Sequence, residues 1–174
     1  MRRLSQLGVT LIELMITLAV LAILVVLALP GYTRWIQNSQ IRTASDAILN
    51  GLQLARAEAV QRNANVVFAF TSGTGWTVNS GSTVVQTRSA GEGSRNVVIT
   101  VAPPAATRVT FNGLGRIGPN ADASLSIASM VLDVPTTILS AADSRQLAIQ
   151  ITASGQVRLC DPDLGLDAGD PRRC

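Results

Sequence analysis

The chain has 174 residues, 47% of them apolar but only 3% aromatic, with fourteen basic residues, all arginine, and no histidine. Without histidine a Ser-His-Asp or Cys-His site is excluded. Without Arg2 and Arg3, twelve arginines face eleven acids, an excess too small for bulk charge to specify a nucleic-acid partner.

From Val9 to Leu29 the only clearly polar residues are Thr10, Glu13 and Thr17. About 21 residues of helix reach roughly 31 Å, enough to cross a bilayer core. Arg2 and Arg3 precede this run, and the positive-inside rule keeps them cytoplasmic while the remainder crosses. An ordinary secretory signal would have an uninterrupted apolar region and a small-x-small cleavage site. Glu13 interrupts the region, and Leu27-Ala28-Leu29-Pro30 is a poor site. A plain membrane anchor explains the length but not the acid. A segment that later leaves the lipid and packs on copies of itself explains both, because a carboxylate in hydrocarbon needs a partner.

Gly8-Val9-Thr10-Leu11-Ile12-Glu13-Leu14 resembles the class III leader of type IV pilins and pseudopilins. The resemblance implies that residues 1–8 are a leader and that a prepilin peptidase cuts after Gly8. Val9 then becomes the N-methylated end. Glu13 becomes the fifth mature residue, placed to neutralise a neighbour's N-terminus during assembly. Pro30 falls where pilins commonly carry a helix-loosening proline.

Beyond Pro30-Gly31, which should weaken the helix locally, Ile41, Ala44, Ile48, Leu52, Ala55 and Ala59 recur at steps of three or four. That is an amphipathic stripe. Arg34, Arg42, Asp46, Arg56, Glu58 and Arg62 lie mostly off it. Asparagines at 63 and 65 favour a stop near Arg62. One helix is therefore expected over 9–62, membrane-spanning over 9–29, with small residues at 44, 51, 55 and 59 admitting a sheet to close approach. Residues 52–63, with Ala55-Arg56-Ala57-Glu58-Ala59 at their centre, are similar to the GspH/FimT (FimU-like) branch of the pilin superfamily.

From Asn65 the period changes to two. Strands are expected at 66–70, 76–78, 83–87, 97–101, 107–111, 124–134, 146–151 and 156–159, separated by Gly, Ser, Asn and Pro. Residues 63–174 thus read as a mostly antiparallel β domain, making the whole α+β with the long helix packed on the sheet. The stretch Val109 to Arg116, containing Phe111 and Gly115-Arg116, and the closing hairpin from Ala148 to Leu159 again resemble that branch.

Cys160 and Cys174 share no metal-ligand spacing. A disulfide is the simplest reading, with two free thiols as the alternative, and it points to an oxidising compartment. Between them Asp161, Asp163, Asp167 and Asp170 invite a calcium reading. The EF-hand register fails: counting from Asp161, the sixth position is Leu166 instead of glycine and the twelfth is Arg172 instead of glutamate. A calcium loop of another kind stays open, since some major pseudopilins bind calcium in this region. Some FimT-like minor pilins take up DNA through a Gly-Arg-x-Arg-x-Lys motif. Here Gly155-Gln156-Val157-Arg158-Leu159-Cys160 keeps only the glycine and Arg158. Arg172 and Arg173 would compensate if folded back beside it.

There is no GxSxG elbow and no P-loop, so the chain reads as a non-enzyme without a cofactor. The resemblance implies a minor pilin made in the inner membrane, N-terminus cytoplasmic, and then assembled into a periplasm-spanning or extracellular pilus. Its partners would be prepilin peptidase and other minor and major pilins. The machine would be a type IV pilus, in its tip or priming complex; a type II secretion system is the alternative, and DNA uptake a third reading.

Overall fold

The computed structural model describes residues 9–162 and 169–174, with Pro30 described by its backbone alone. The chain falls into two units, one ending at Trp35 and the other running from Ile36 to Cys174. The expected α+β class holds. Among the described residues one helix, α1 (Leu11–Arg62), precedes nine strands: β1 (Val66–Phe70), β2 (Trp76–Ser80), β3 (Thr83–Arg88), β4 (Val98–Ala102), β5 (Arg108–Phe111), β6 (Ile117–Gly118), β7 (Ser129–Asp133), β8 (Leu147–Ile151) and β9 (Val157–Cys160).

Both ends of α1 carry the chemistry that starts and stops a helix. At the start, Oγ1 of Thr10 accepts the backbone N–H of Glu13 at 3.3 Å, satisfying one of the first-turn donors. At the end, Asn63 takes φ 49°, the backbone N–H of Ala64 reaches the carbonyl of Ala59, and that of Asn63 reaches the carbonyl of Val60. This pair of bonds is a Schellman closure, with asparagine in the left-handed position usually given to glycine. The helix continues through Pro30 and Gly31.

Within the second unit the stripe Ile41, Ala44, Ile48, Leu52, Ala55 and Ala59 is fully buried. It joins Val66, Phe68, Trp76, Val78, Val109 and Phe111 in one core. Gly51 shows why the small residues matter. A Cβ there would lie 2.9 Å from Cζ2 of Trp76 and 3.0 Å from Cε2 of Phe68, so glycine lets the aromatic side chains rest on the helix.

All strand pairs are antiparallel, in a five-stranded sheet of order β3-β2-β1-β5-β6 and a four-stranded sheet of order β4-β7-β8-β9. The strand expected over 124–134 is shorter, beginning at Ser129. Asn120 Nδ2 donates to the carbonyl of Ser124, and Asp122 Oδ1 accepts both the backbone N–H and the hydroxyl of Ser124. These side chains hold the backbone in a loop before it can join a ladder. At Ile127 the N–H bonds the carbonyl of Arg108 in the first sheet, and at Ala128 it bonds Ala102 in the second. The chain thus changes sheets there. Strand β6 lies outside the strands expected from the sequence; it is two residues long and pairs Thr110–Phe111 with Ile117–Gly118.

Candidate functional site

Three places gather the residues singled out above. The first is the N-terminal segment, taken by itself. Its apolar side chains from Leu11 to Leu29 are exposed, and the helix is long and apolar enough to cross a membrane. Glu13 stands in its first turn, where the helix dipole and the exposed N–H groups favour a carboxylate. Thr10-Leu11-Ile12-Glu13 has the Thr-x-x-Glu spacing of a capping box, a signal the sequence itself carries. Val9 is exposed; Gly8 lies outside the described residues. Tyr32 and Trp35, one turn apart, stack with ring centroids 6.2 Å apart.

The second place is the C-terminal loop. Cys160 and Cys174 form a disulfide with a Cα–Cα distance of 5.1 Å. It holds the last residues against the end of β9: the N–H of Asp161 donates to the carbonyl of Arg172 at 2.6 Å and that of Cys174 to the carbonyl of Asp161 at 3.1 Å. Asp161 and Arg173 form a parallel bridge. Arg172 and Arg173 are therefore folded back toward Arg158, whose Nη2 donates to the carbonyl of Arg173.

Arg172, however, is already engaged. Its Nη2 and Nε donate to the two carboxylate oxygens of Asp170 at 2.7 and 3.1 Å, and its backbone N–H adds a third bond to the same acid at 2.8 Å. The side-chain bonds from Arg172, followed by that N–H, hold the Asp170 carboxyl down at about 2. Of the aspartates considered for calcium, Asp163 and Asp167 lie outside the described residues. Among the described residues no group of three acidic, cysteine or histidine side chains is arranged for a metal. A cleft of about 380 Å³ beside the loop has Arg42, Asp161 and Arg172 as its charged lining.

The third place joins segments that lie far apart in the sequence. Nε of Arg56 on α1 donates to the carbonyl of Gly115 at 3.0 Å. Gly115, at φ +71°, follows β5, and Gly155, at φ +79°, joins β8 to β9 so closely that a side chain on it would run into the Gly115 carbonyl. Asn112 Oδ1 accepts the N–H groups of Leu114 and Arg116, shaping the intervening turn. The helix segment, the Phe111 to Arg116 segment and the last hairpin therefore meet at one point. Its atoms are backbone, one guanidinium and one amide, which suits a structural joint and no bond-making chemistry.

Comparison with known proteins follows the same segments. The family described as Type II transport protein GspH matches residues 44–155. The prokaryotic N-terminal methylation motif matches residues 3–29. A search of curated proteins returns no match. Among solved structures, the type IV minor pilin FimU of Pseudomonas aeruginosa is similar in two crystal forms, each at 15% identity. The TM-scores are 0.49 and 0.46, covering 68% of this chain and 90% and 87% of those chains.

Proposed function

The chain belongs to the GspH family, whose members are minor pilins and pseudopilins carrying the N-methylation motif, and from that membership we propose that it is a minor pilin of a type IV pilus. In this reading prepilin peptidase cuts after Gly8 and Val9 is methylated. The apolar helix holds the subunit in the inner membrane until it joins other pilins in the tip or priming complex. The observation that carries the reading is Glu13, an acid in the first turn of an exposed, otherwise apolar helix. Such a charge is tolerable in hydrocarbon only with a counter-charge, and a neighbour's new N-terminal amine supplies one.

A second reading places the same subunit in a type II secretion system as a minor pseudopilin. It is favoured by the description of the matching family. The disulfide-closed C-terminal loop favours the pilus.

The test is deletion of the gene and complementation with wild type, Glu13→Ala or Glu13→Gln, scoring surface pili, secreted enzymes and DNA uptake. The proposal expects loss of pili and twitching that neither variant restores. Glutamine also completes a capping box, so rescue by Glu13→Gln but not by Glu13→Ala would reduce the acid to a cap. Normal pili with exoproteins held in the periplasm install the secretion reading. Normal pili with uptake alone lost turn attention to Arg158, Arg172 and Arg173 as DNA contacts.

A further inference from the structure

Between α1 and the β2–β3 hairpin lies a cleft of about 390 Å³. Its helix wall is Ala47, Asn50 and Gly51; its sheet wall includes Trp76, Gln86 and Arg88; Glu92 stands at its rim. Trp76 and Arg88 are direct partners across the β2–β3 ladder, so their side chains share one face of the sheet, the one carrying the buried Trp76 and Val78. Cε2 of Trp76, the atom bonded to Nε1, lies 3.0 Å from the place a Cβ on Gly51 would take, which sets the indole N–H at the Gly51 wall.

Two donors here are buried and unmet. Among the described residues neither Nε1 of Trp76 nor Nη1 of Arg88 has a hydrogen-bond partner. The Arg88 side chain is 11% exposed, and the acid beside it, Glu92, is 67% exposed with its carboxylate 3.9 Å from Nε. Nη2 is used on the backbone carbonyl of Glu92. A guanidinium held this far from water, beside one loosely placed acid, is a cation short of compensation. An indole N–H in a protein interior ordinarily finds an acceptor.

We propose that this cleft binds a carboxylate, with Nε1 of Trp76 and Nη1 of Arg88 as its two donors and Asn50 and Gln86 as amide neighbours. The carboxylate is preferred to a phosphate because the site holds one unmet donor edge of a single guanidinium, and Glu92 at the rim repels a second negative charge. The group comes either from a neighbouring polypeptide, as a C-terminus or an acidic side chain, or from a small free acid.

The experiment uses the full chain in detergent micelles with Trp35→Phe, leaving Trp76 as the one indole, and follows its Nε1–H resonance. Sodium acetate, acetyl-glycyl-glycine, its C-terminal amide and sodium phosphate are titrated against sodium chloride of equal ionic strength. The proposal expects a saturable downfield shift with acetate and acetyl-glycyl-glycine, none with the amide, and affinity about ten-fold weaker in Arg88→Gln. Tighter binding of acetyl-glycyl-glycine than of acetate assigns the group to a polypeptide; equal binding assigns it to a small acid. Should Arg88→Gln not fold, Glu92→Gln, on an exposed acid, is expected to tighten acetate binding several-fold. No saturable shift, equal binding of the amide, stronger binding of phosphate, or an affinity unchanged in both Arg88→Gln and Glu92→Gln would overturn it.

Discussion

Arg56 of α1 and Gly115 of the β5–β6 turn are 59 residues apart in the chain and joined by a 3.0 Å hydrogen bond from Nε to the carbonyl oxygen. The same carbonyl is where any side chain at Gly155 would collide. One peptide group thus ties the helix to the turn and limits what the β8–β9 connection accepts. Arg56→Ala is expected to lower stability by about 1–3 kcal/mol, since it strands an acceptor that a charged donor now satisfies. Gly155→Ala is expected to cost more than Arg56→Ala, because it adds a steric clash to a left-handed φ. Thermal melting of the full chain in detergent checks both; equal or smaller loss for Gly155→Ala would sink the shared-joint account.

The buried stripe of α1 gives a simpler expectation. Leu52 is fully buried, whereas Gln61, on the same helix, is exposed. Leu52→Ala is expected to destabilise by about 2–5 kcal/mol through lost burial and the cavity left behind. Gln61→Ala should stay within about 0.5 kcal/mol. Denaturant midpoints at constant m-value separate the two.

How much of this could be read beforehand follows from what kind of signal each feature leaves. The stripe from Ile41 to Ala59 repeats at helical spacing over five turns, and all six residues are buried as expected. Most strands alternate over five or six residues and were found within a residue or two. Strand β6 has two residues, too few for any period. Residues 124–128 alternate like a strand, yet Asn120 and Asp122 capture Ser124 and bend them away. The Arg56–Gly115 bond links separate segments and leaves no local trace. The pairing of Trp76 with Arg88 depends on a register shift in the β2–β3 ladder at Val78/Asn79, which alternation alone does not show.

The disulfide closes a loop with a sequence separation of 14. In the chain-entropy description such a loop contributes about 3 kcal/mol, acting mainly on the unfolded chain. Replacing both cysteines by alanine should lower the melting temperature accordingly. It should also loosen the bonds from Asp161 to Arg172 and from Cys174 to Asp161, which the crosslink holds in place. The check is amide exchange: the N–H groups of Asp161 and Cys174 should lose protection while those in the β1–β2 ladder keep theirs. Unchanged protection at Asp161 would show that the terminal segment docks without the crosslink.

Within that same segment acid should break one side-chain contact, Asp170–Arg172, at an unusually low pH. Asp170 is lowered from its ordinary 3.8 to about 2 by the side-chain bonds from Arg172, then by the Arg172 N–H. A carboxyl with a depressed folded pKa stabilises fully above its unfolded value, and the contribution is lost as pH falls through the folded value. The Asp170–Arg172 contact is therefore expected to persist at pH 4 and to be given up progressively between about 3.8 and about 2. Its effect on global stability should be slight, because Arg172 is largely exposed and solvent screens the pair. A carboxyl-carbon titration by NMR should place the Asp170 midpoint near 2 in the native chain. In Arg172→Gln, which removes the guanidinium bonds but keeps the backbone N–H, the midpoint should rise toward 3.8 without reaching it. A native midpoint already at 3.8 would mean that the two side chains are not held together in solution.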